Sequence, residues 1–282
     1  MSAIPPDLAP EAIQEHLRSR LIGRVLEVLP EISSTNDRAM AAGHGGAAEG
    51  LCVIANRQLA GRGRLGRPWA SPSDVGLYTS ILLRPKGPVS SLPLLPLVAG
   101  LAVTDAIQEV AAQSPRLKWP NDVLLDGRKV AGILTELATS GSSVHYAVVG
   151  IGVNVNHGED DLPPELRAGA TSLCQHCGRR IARGMLAAAI YNALEGWYAL
   201  FCQDRRETIL EAGRSRSATL GRPVQVIAGT EEWRGHAVDL EPDGALLVRD
   251  LSGALRRVVA GDVSIRTPDE HSAFSTQPSA SS

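Results

Sequence analysis

The chain has little excess of charge, and neither a membrane-length apolar run nor a second set of metal-binding residues is expected in it. Its 28 Lys and Arg against 30 Asp and Glu leave a formal net charge of -2 over 282 residues. That excludes a nucleic-acid binder working through a broad basic surface. No apolar run is expected to approach the roughly 20 residues that cross a bilayer, and no basic N-terminal region precedes an apolar stretch and a small-residue cleavage site. The expectation is a cytoplasmic protein with neither membrane nor nucleic acid as partner. Of the 4 cysteines, Cys174 and Cys177 flank His176 in a C-x-x-C, but a structural zinc needs a second ligand pair at matching spacing. A redox pair would open a helix after a strand, whereas this one follows a loop region with Pro163, Pro164 and Gly169. Neither metal nor redox chemistry is expected there, and Cys52 reads as core. There is no internal repeat.

What the chain has is a local concentration of arginine on glycine. Gly61, Arg62, Gly63 and Arg64 alternate, Leu65 intervenes, and Gly66 and Arg67 resume the pattern two residues before Trp69. Glycine lets a ligand approach the main chain, and each guanidinium offers a rigid fork of donors matched to carboxylate or phosphate. Arg/Gly runs also occur in solvated RNA-binding tails. Here the flanking apolar stretches, residues 51–55 and 77–83, read as buried strands, so the run is a loop of a folded domain that suits a small anion.

Residues 1–23 read as an N-terminal extension, irregular to about residue 10 and helical from Glu11 to Leu21. A DNA-binding helix-turn-helix module would need about 60 residues before the main domain, and only about 25 precede the first strand. Residues 24–216 read as a mixed α and β domain. Strands are expected at 25–29, 51–55, 77–83, 117–119, 123–125, 130–137 and 146–155, with a hairpin at Asp126-Gly127. Helices are expected after the Ser33–Asn36 turn, at 94–112 and at 185–200. Residues 217–266 carry five short β-runs separated by turn signals, which make a small barrel, and residues 267–282 read as a disordered tail. The fold class is α+β.

A second polar cluster, Lys118-Trp119-Pro120-Asn121-Asp122, precedes Lys129-Val130-Ala131-Gly132. Two strands and a hairpin bring Asn121 and Lys129 to the same end of a sheet, an amide able to read a base edge and a point charge for a phosphate or carboxylate. Taken alone, such residues equally describe a solvated hairpin and a core tryptophan.

Taken together, these motifs resemble those of biotin protein ligases, also called biotin-[acetyl-CoA-carboxylase] ligases, of the short form without a DNA-binding domain. The matching residues are Ser34-Thr35-Asn36, Gln58 with Ala60 through Trp69, Lys118 through Asp122, Lys129 through Glu136, and Gly150 through Asn156, in the family's order. The match extends from about residue 24 to Arg266. The resemblance implies a mixed-sheet ligase domain followed by an SH3-like β-barrel, and two reactions. Biotin and ATP give biotinyl-5'-AMP and pyrophosphate, with Mg²⁺ clamping the phosphates, and the acyl group then passes to one lysine of the biotin carboxyl carrier domain of acetyl-CoA carboxylase. A homodimer is compatible with it.

Carried over residue by residue, Ser34, Thr35, Asn36 and Gln58 would bind the ureido ring, and Arg62, Gly63, Arg64 and Lys129 would surround the carboxylate and α-phosphate. Trp69 would stack on adenine, Asn121 and Asn154 would lie near the nucleotide, and Arg67 would face the outer phosphates. Gly132, Gly150 and Gly152 would keep the pocket walls thin. Asp122 is the candidate for taking or orienting the acceptor lysine's proton. No protein ligand is assigned to a metal. Arg214 and Arg216 would touch ATP or the acceptor, or serve as linker charges. The rival readings are a lipoate or octanoate protein ligase and a biotin-sensing regulator.

Overall fold

The computed structural model describes residues 4–86, 89–140, 143–259 and 261–266. Seven strands form one sheet in the order β1-β2-β3-β7-β6-β5-β4. They are β1 (Leu26–Leu29), β2 (Cys52–Ala55), β3 (Gly76–Leu83), β4 (Arg116–Lys118), β5 (Asp122–Leu125), β6 (Arg128–Ser140) and β7 (Ser143–Asn154). β1 runs parallel to β2, and every other pairing is antiparallel. Because strand side chains alternate between faces, the central strands have two distinct sides. Ile54, Ile81, Val149 and Ile151 face one core, shared with α3 (Leu95–Ala111) and α5 (Arg183–Cys202). Val53, Leu82 and Val148 face a smaller core under α2 (Thr35–His44). The same face continues along β7 as Gly150, Gly152 and Asn154, beyond the start of α2.

Two expectations are corrected. The 3-10 segment Val89–Leu94 runs into α3, and the 23 residues Val89–Ala111, which contain an 18-residue stretch of mean hydropathy 1.5, are long and apolar enough to cross a membrane by length and composition. Of that stretch, 72% is buried within the protein. Pro96 sits in the first turn of α3, where a missing N–H costs nothing. The helix expected over residues 11–21 is only α1 (Pro10–Gln14). Beyond it, Asn192 Oδ1 and the Glu195 carboxylate on α5 accept the backbone N–H groups of Arg18 through Ile22 at 2.6–3.0 Å, supplanting helical hydrogen bonds. Leu8, Ile13 and Ile22 are buried in the main core, and the buried Arg183 grips Asp7 at 2.7 and 2.8 Å.

Two helices were not anticipated, α4 (Leu173–Cys177) and α6 (Arg206–Ser215). α6 leads to an antiparallel sheet ordered β11-β10-β9-β8-β12, formed by β8 (Pro223–Ala228), β9 (Glu231–Leu240), β10 (Leu246–Asp250), β11 (Leu255–Val258) and β12 (Asp262–Ile265). Trp119 joins the two sheets, its indole Nε1 donating to Gly244 O at 2.9 Å and its backbone N–H to Thr219 Oγ1 at 3.0 Å. Arg214 is held by Glu207, Asp239 and Leu240 O, and Arg216 by Asp105 and Thr104, so both act as joints of the linker. The expected tail, 267–282, lies outside the described residues.

Candidate active site

The Gly/Arg run is a tight hairpin. Trp69 N–H donates to Gly61 O at 2.8 Å, Gly63 N–H to Arg67 O at 2.7 Å and Arg67 N–H to Arg64 O at 3.2 Å. At the tip, Leu65 and Gly66 take φ of 56° and 72°, the pair of positive values that a two-residue hairpin turn favours. Gly61 is obligatory for space, since a Cβ there would lie 2.6 Å from Trp69 O. The hairpin projects over the α2 face of the large sheet and walls a cavity of about 480 Å³, lined by every site residue named from the sequence except Arg214 and Arg216.

At one end the lining is neutral. Ser34 caps α2 by accepting the Asp37 N–H at 3.4 Å, so the capping reading holds for this residue, and the helix starts at Thr35. Gln58 Oε1 accepts from Thr35 N at 2.9 Å and faces Thr35 Oγ1 at 3.0 Å, while its Nε2 donates to Ser71 Oγ at 3.0 Å. Asn36 is fixed at both ends, its Nδ2 donating to Glu136 Oε2 at 2.6 Å and its Oδ1 accepting from Ser80 Oγ at 2.5 Å. Thr35, Asn36 and Ser80 are buried, and a buried polar group with a defined partner keeps a defined orientation.

At the other end the lining is cationic, and each cation is engaged by the chain itself. Arg62 forms a two-point pair with Asp37 at 2.5 and 2.8 Å and approaches Glu136 at 3.7 Å. Its hydrogen bonds hold the Asp37 carboxyl below the usual carboxylate range, and the same hydrogen bonds raise the Arg62 guanidinium. Arg64 donates to Gly261 O at 3.2 Å, and burial works against its charge. Arg67 is paired with Asp262 at the start of β12. Lys129 Nζ lies 2.5 Å from Asp122 Oδ1 and 5.2 Å from the centre of the Trp69 ring. The position of Lys129 depends on a bulge. Asp122 pairs with Gly132, but Leu124 pairs with Lys129 because the register shifts between Val123 and Leu124. In a regular strand residues 129 and 132 would face opposite sides, and the extra residue brings both to the cavity.

The glycines act differently from the expectation. Gly132 and Gly152 are cross-strand neighbours, and a Cβ on either would strike the Trp69 indole, at 3.0 and 2.5 Å; one on Gly150 would lie 2.2 Å from Asn36 Oδ1. The missing side chains therefore seat Trp69 and Asn36, which in turn form the wall. Trp69 Nε1 is buried without a hydrogen-bond partner among the described residues. Asn121 and Asn154 both line the cavity, but their Nδ2 groups are spent on Ile133 O at 2.8 Å and Thr171 O at 3.0 Å. Ser71, Ser80, Glu136 and Asp262 were not singled out. Glu136 stood inside a recognised motif, whereas the serines carry no local signal and are found only through strand register. Cys174 and Cys177 lie on the short α4 that follows residues 163–169, and their Sγ atoms point to different carbonyls, His157 O at 3.4 Å and Ala111 O at 3.6 Å.

A neutral polar floor, a cationic rim and an aromatic wall define a protein that binds a ligand with a neutral head and an anionic reacting end. Residues 28–154 match the Biotin/lipoate A/B protein ligase family, and residues 219–266 match the Biotin protein ligase C terminal domain. The chain is 35% identical to the biotin--[acetyl-CoA-carboxylase] ligase of Mycobacterium tuberculosis, covering 91% of this chain and 96% of that one. It is 36% identical to the enzyme of the same name from Paracoccus denitrificans, covering 80% and 95%. It superposes on the biotin protein ligase from Aquifex aeolicus in complex with biotin and ATP with a TM-score of 0.72, at 33% identity over 86% of this chain and 99% of that one. The chain belongs to the biotin/lipoate protein ligase family.

Proposed function

We infer that this chain is a biotin protein ligase. It joins biotin to ATP to give biotinyl-5'-AMP and pyrophosphate, and passes the biotinyl group to a lysine of a biotin-accepting protein. The observation that carries this reading is the pairing, in one cavity, of a neutral hydrogen-bonding floor with a cationic rim. Biotin's ureido ring has two N–H donors and one carbonyl acceptor, which suits the floor of Ser34, Thr35, Asn36 and Gln58. Lipoate has no such ring and would offer this floor neither the paired N–H donors nor the carbonyl acceptor that biotin brings. The relative from Aquifex aeolicus holds biotin and ATP together.

In the first step a biotin carboxylate oxygen attacks the α-phosphorus and pyrophosphate leaves. Two anions must meet, and fixed cations stabilise the charge that builds up. Arg62, Arg64 and Lys129 would supply these, with the backbone of Gly63 admitting the ligand and Arg67 reaching the outer phosphates. Each must exchange its present protein partner for a ligand oxygen. Trp69, backed by Gly132 and Gly152, would stack on adenine, with Asn121 and Asn154 beside the nucleotide. Among the described residues no group of three or more His, Cys, Asp or Glu is arranged to hold a metal, and Mg²⁺ enters as part of the MgATP substrate, on phosphate oxygens and water.

In the second step a neutral lysine amine attacks the acyl carbon. Asp122 would be the carboxylate that takes or orients its proton. Arg64 would also cover the mixed anhydride. The acceptor would be the biotin carboxyl carrier domain of acetyl-CoA carboxylase, in the cytoplasm, with the ligase as a homodimer. Incubation with an apo carrier domain, ATP and either biotin or lipoate separates the readings by mass. Only biotin should be attached, and attachment of lipoate alone would identify the rival ligase. Tight retention of biotinyl-AMP with an unmodified carrier would identify a sensor.

A further inference from the structure

Lys118 has no role in the reactions as described, yet it shares the Asp122 carboxylate. The two residues are directly paired across β4 and β5, with Lys118 Nζ 3.6 Å from Asp122 Oδ2 while Lys129 Nζ holds Oδ1. The charged groups facing Asp122 are thus Lys118 from β4, Lys129 from β6 and, close enough for the charges to act on each other, Arg64 from the hairpin. Once the adenylate forms, its phosphate competes for Lys129 and Arg64, leaving Lys118 as the cation that stays on Asp122.

We propose that Lys118 is a positioning residue of the transfer step, which keeps Asp122 aimed at the incoming lysine and disfavours the ammonium form of that lysine. This rests on the ligase reading above. The chemistry makes the demand explicit. The acceptor Nζ forms a bond to the acyl carbon, the bond from that carbon to the AMP phosphate oxygen breaks with its electron pair going to AMP, and the surplus N–H proton passes to Asp122. An Asp122 stripped of cationic partners would stabilise the acceptor as an ammonium, which has no lone pair. A neighbouring cation that half-neutralises the carboxylate and repels the ammonium lowers the acceptor's pKa.

The test separates the half-reactions. Biotin-dependent pyrophosphate exchange reports adenylation, and single-turnover transfer from purified biotinyl-AMP to an apo carrier domain, followed across pH, reports the second step. For Lys118→Met the ratio of transfer to adenylation rate should fall about tenfold, and the midpoint of the pH profile of transfer should move to higher pH. Lys118→Arg should restore both, a pattern that a merely structural role would not produce. The proposal is overturned if Lys118→Met slows both half-reactions equally, or if the transfer rate and its pH midpoint match wild type. Absence of biotin-dependent exchange in the wild-type protein would instead defeat the ligase reading itself.

Discussion

Lys129 sits where a carboxylate, an indole and the strand bulge meet, and the reading of the first step leans on it. Lys129→Ala should slow biotin-dependent pyrophosphate exchange by about 3 kcal/mol or more, on the scale of losing a fixed charge at a reacting centre; exchange at the wild-type rate would remove Lys129 from the chemistry. Arg64→Gly should instead leave the adenylate forming but escaping, so that added bystander protein becomes labelled with biotin, and strict labelling of the carrier would count against a covering role. The residues of the rim were legible because arginine on glycine is unusual within a folded domain. The residues that orient the floor were not. Ser80 reads as one more polar residue in a buried strand, and only its register opposite Gly150 brings it under Asn36. Ser34 is the reverse case, a residue whose ordinary capping role is visible in sequence and is fulfilled.

The strands β6 and β7 carry the glycines, and their predicted effects differ by position. Gly152→Ala should push Trp69 off the sheet and raise the KM for ATP more than that for biotin, about tenfold. Gly150→Ala should displace Asn36 and do the opposite. Equal effects on both substrates in steady-state exchange assays would contradict the division of the cavity. Just past β7, His157 is fully buried, and burial depresses its pKa to about 4. In the unfolded chain the imidazole titrates near 6.5, so between these values the unfolded state binds the extra proton and stability falls as pH drops. The loss should reach on the order of 3 kcal/mol by pH 4, and His157→Gln should flatten the dependence of Tm on pH across that window; an unchanged slope would exclude His157 as its source. The strands of the large sheet were legible from apolar runs between turn signals. α6 was not, although Ile209, Leu210 and Gly213 share its buried face, because the segment is short and bounded by charged residues, and α1 stops early because α5 captures the next backbone donors.

At the level of the whole molecule, the small sheet belongs to the site. Asp262 and Gly261 hold Arg67 and Arg64, so the hairpin tip is tied to β12 before any ligand arrives. A partly exposed ion pair contributes up to about 1 kcal/mol, so Asp262→Ala should raise tryptic cleavage between Arg62 and Arg67 about two- to fivefold in the ligand-free protein, with protection restored by biotin and ATP. Cleavage unchanged by the substitution would show that the tie does not restrain the hairpin. Sequence alone indicated five short strands but gave no reason to bring residue 262 to residue 67, since that contact depends on how the sheets join through Trp119 and the linker arginines. The ligase reading itself is decided by the mass of an apo biotin carboxyl carrier domain after incubation with this protein, biotin and MgATP. The prediction is a gain of one biotinyl group on a single lysine, dependent on both substrates, and a carrier of unchanged mass would contradict it.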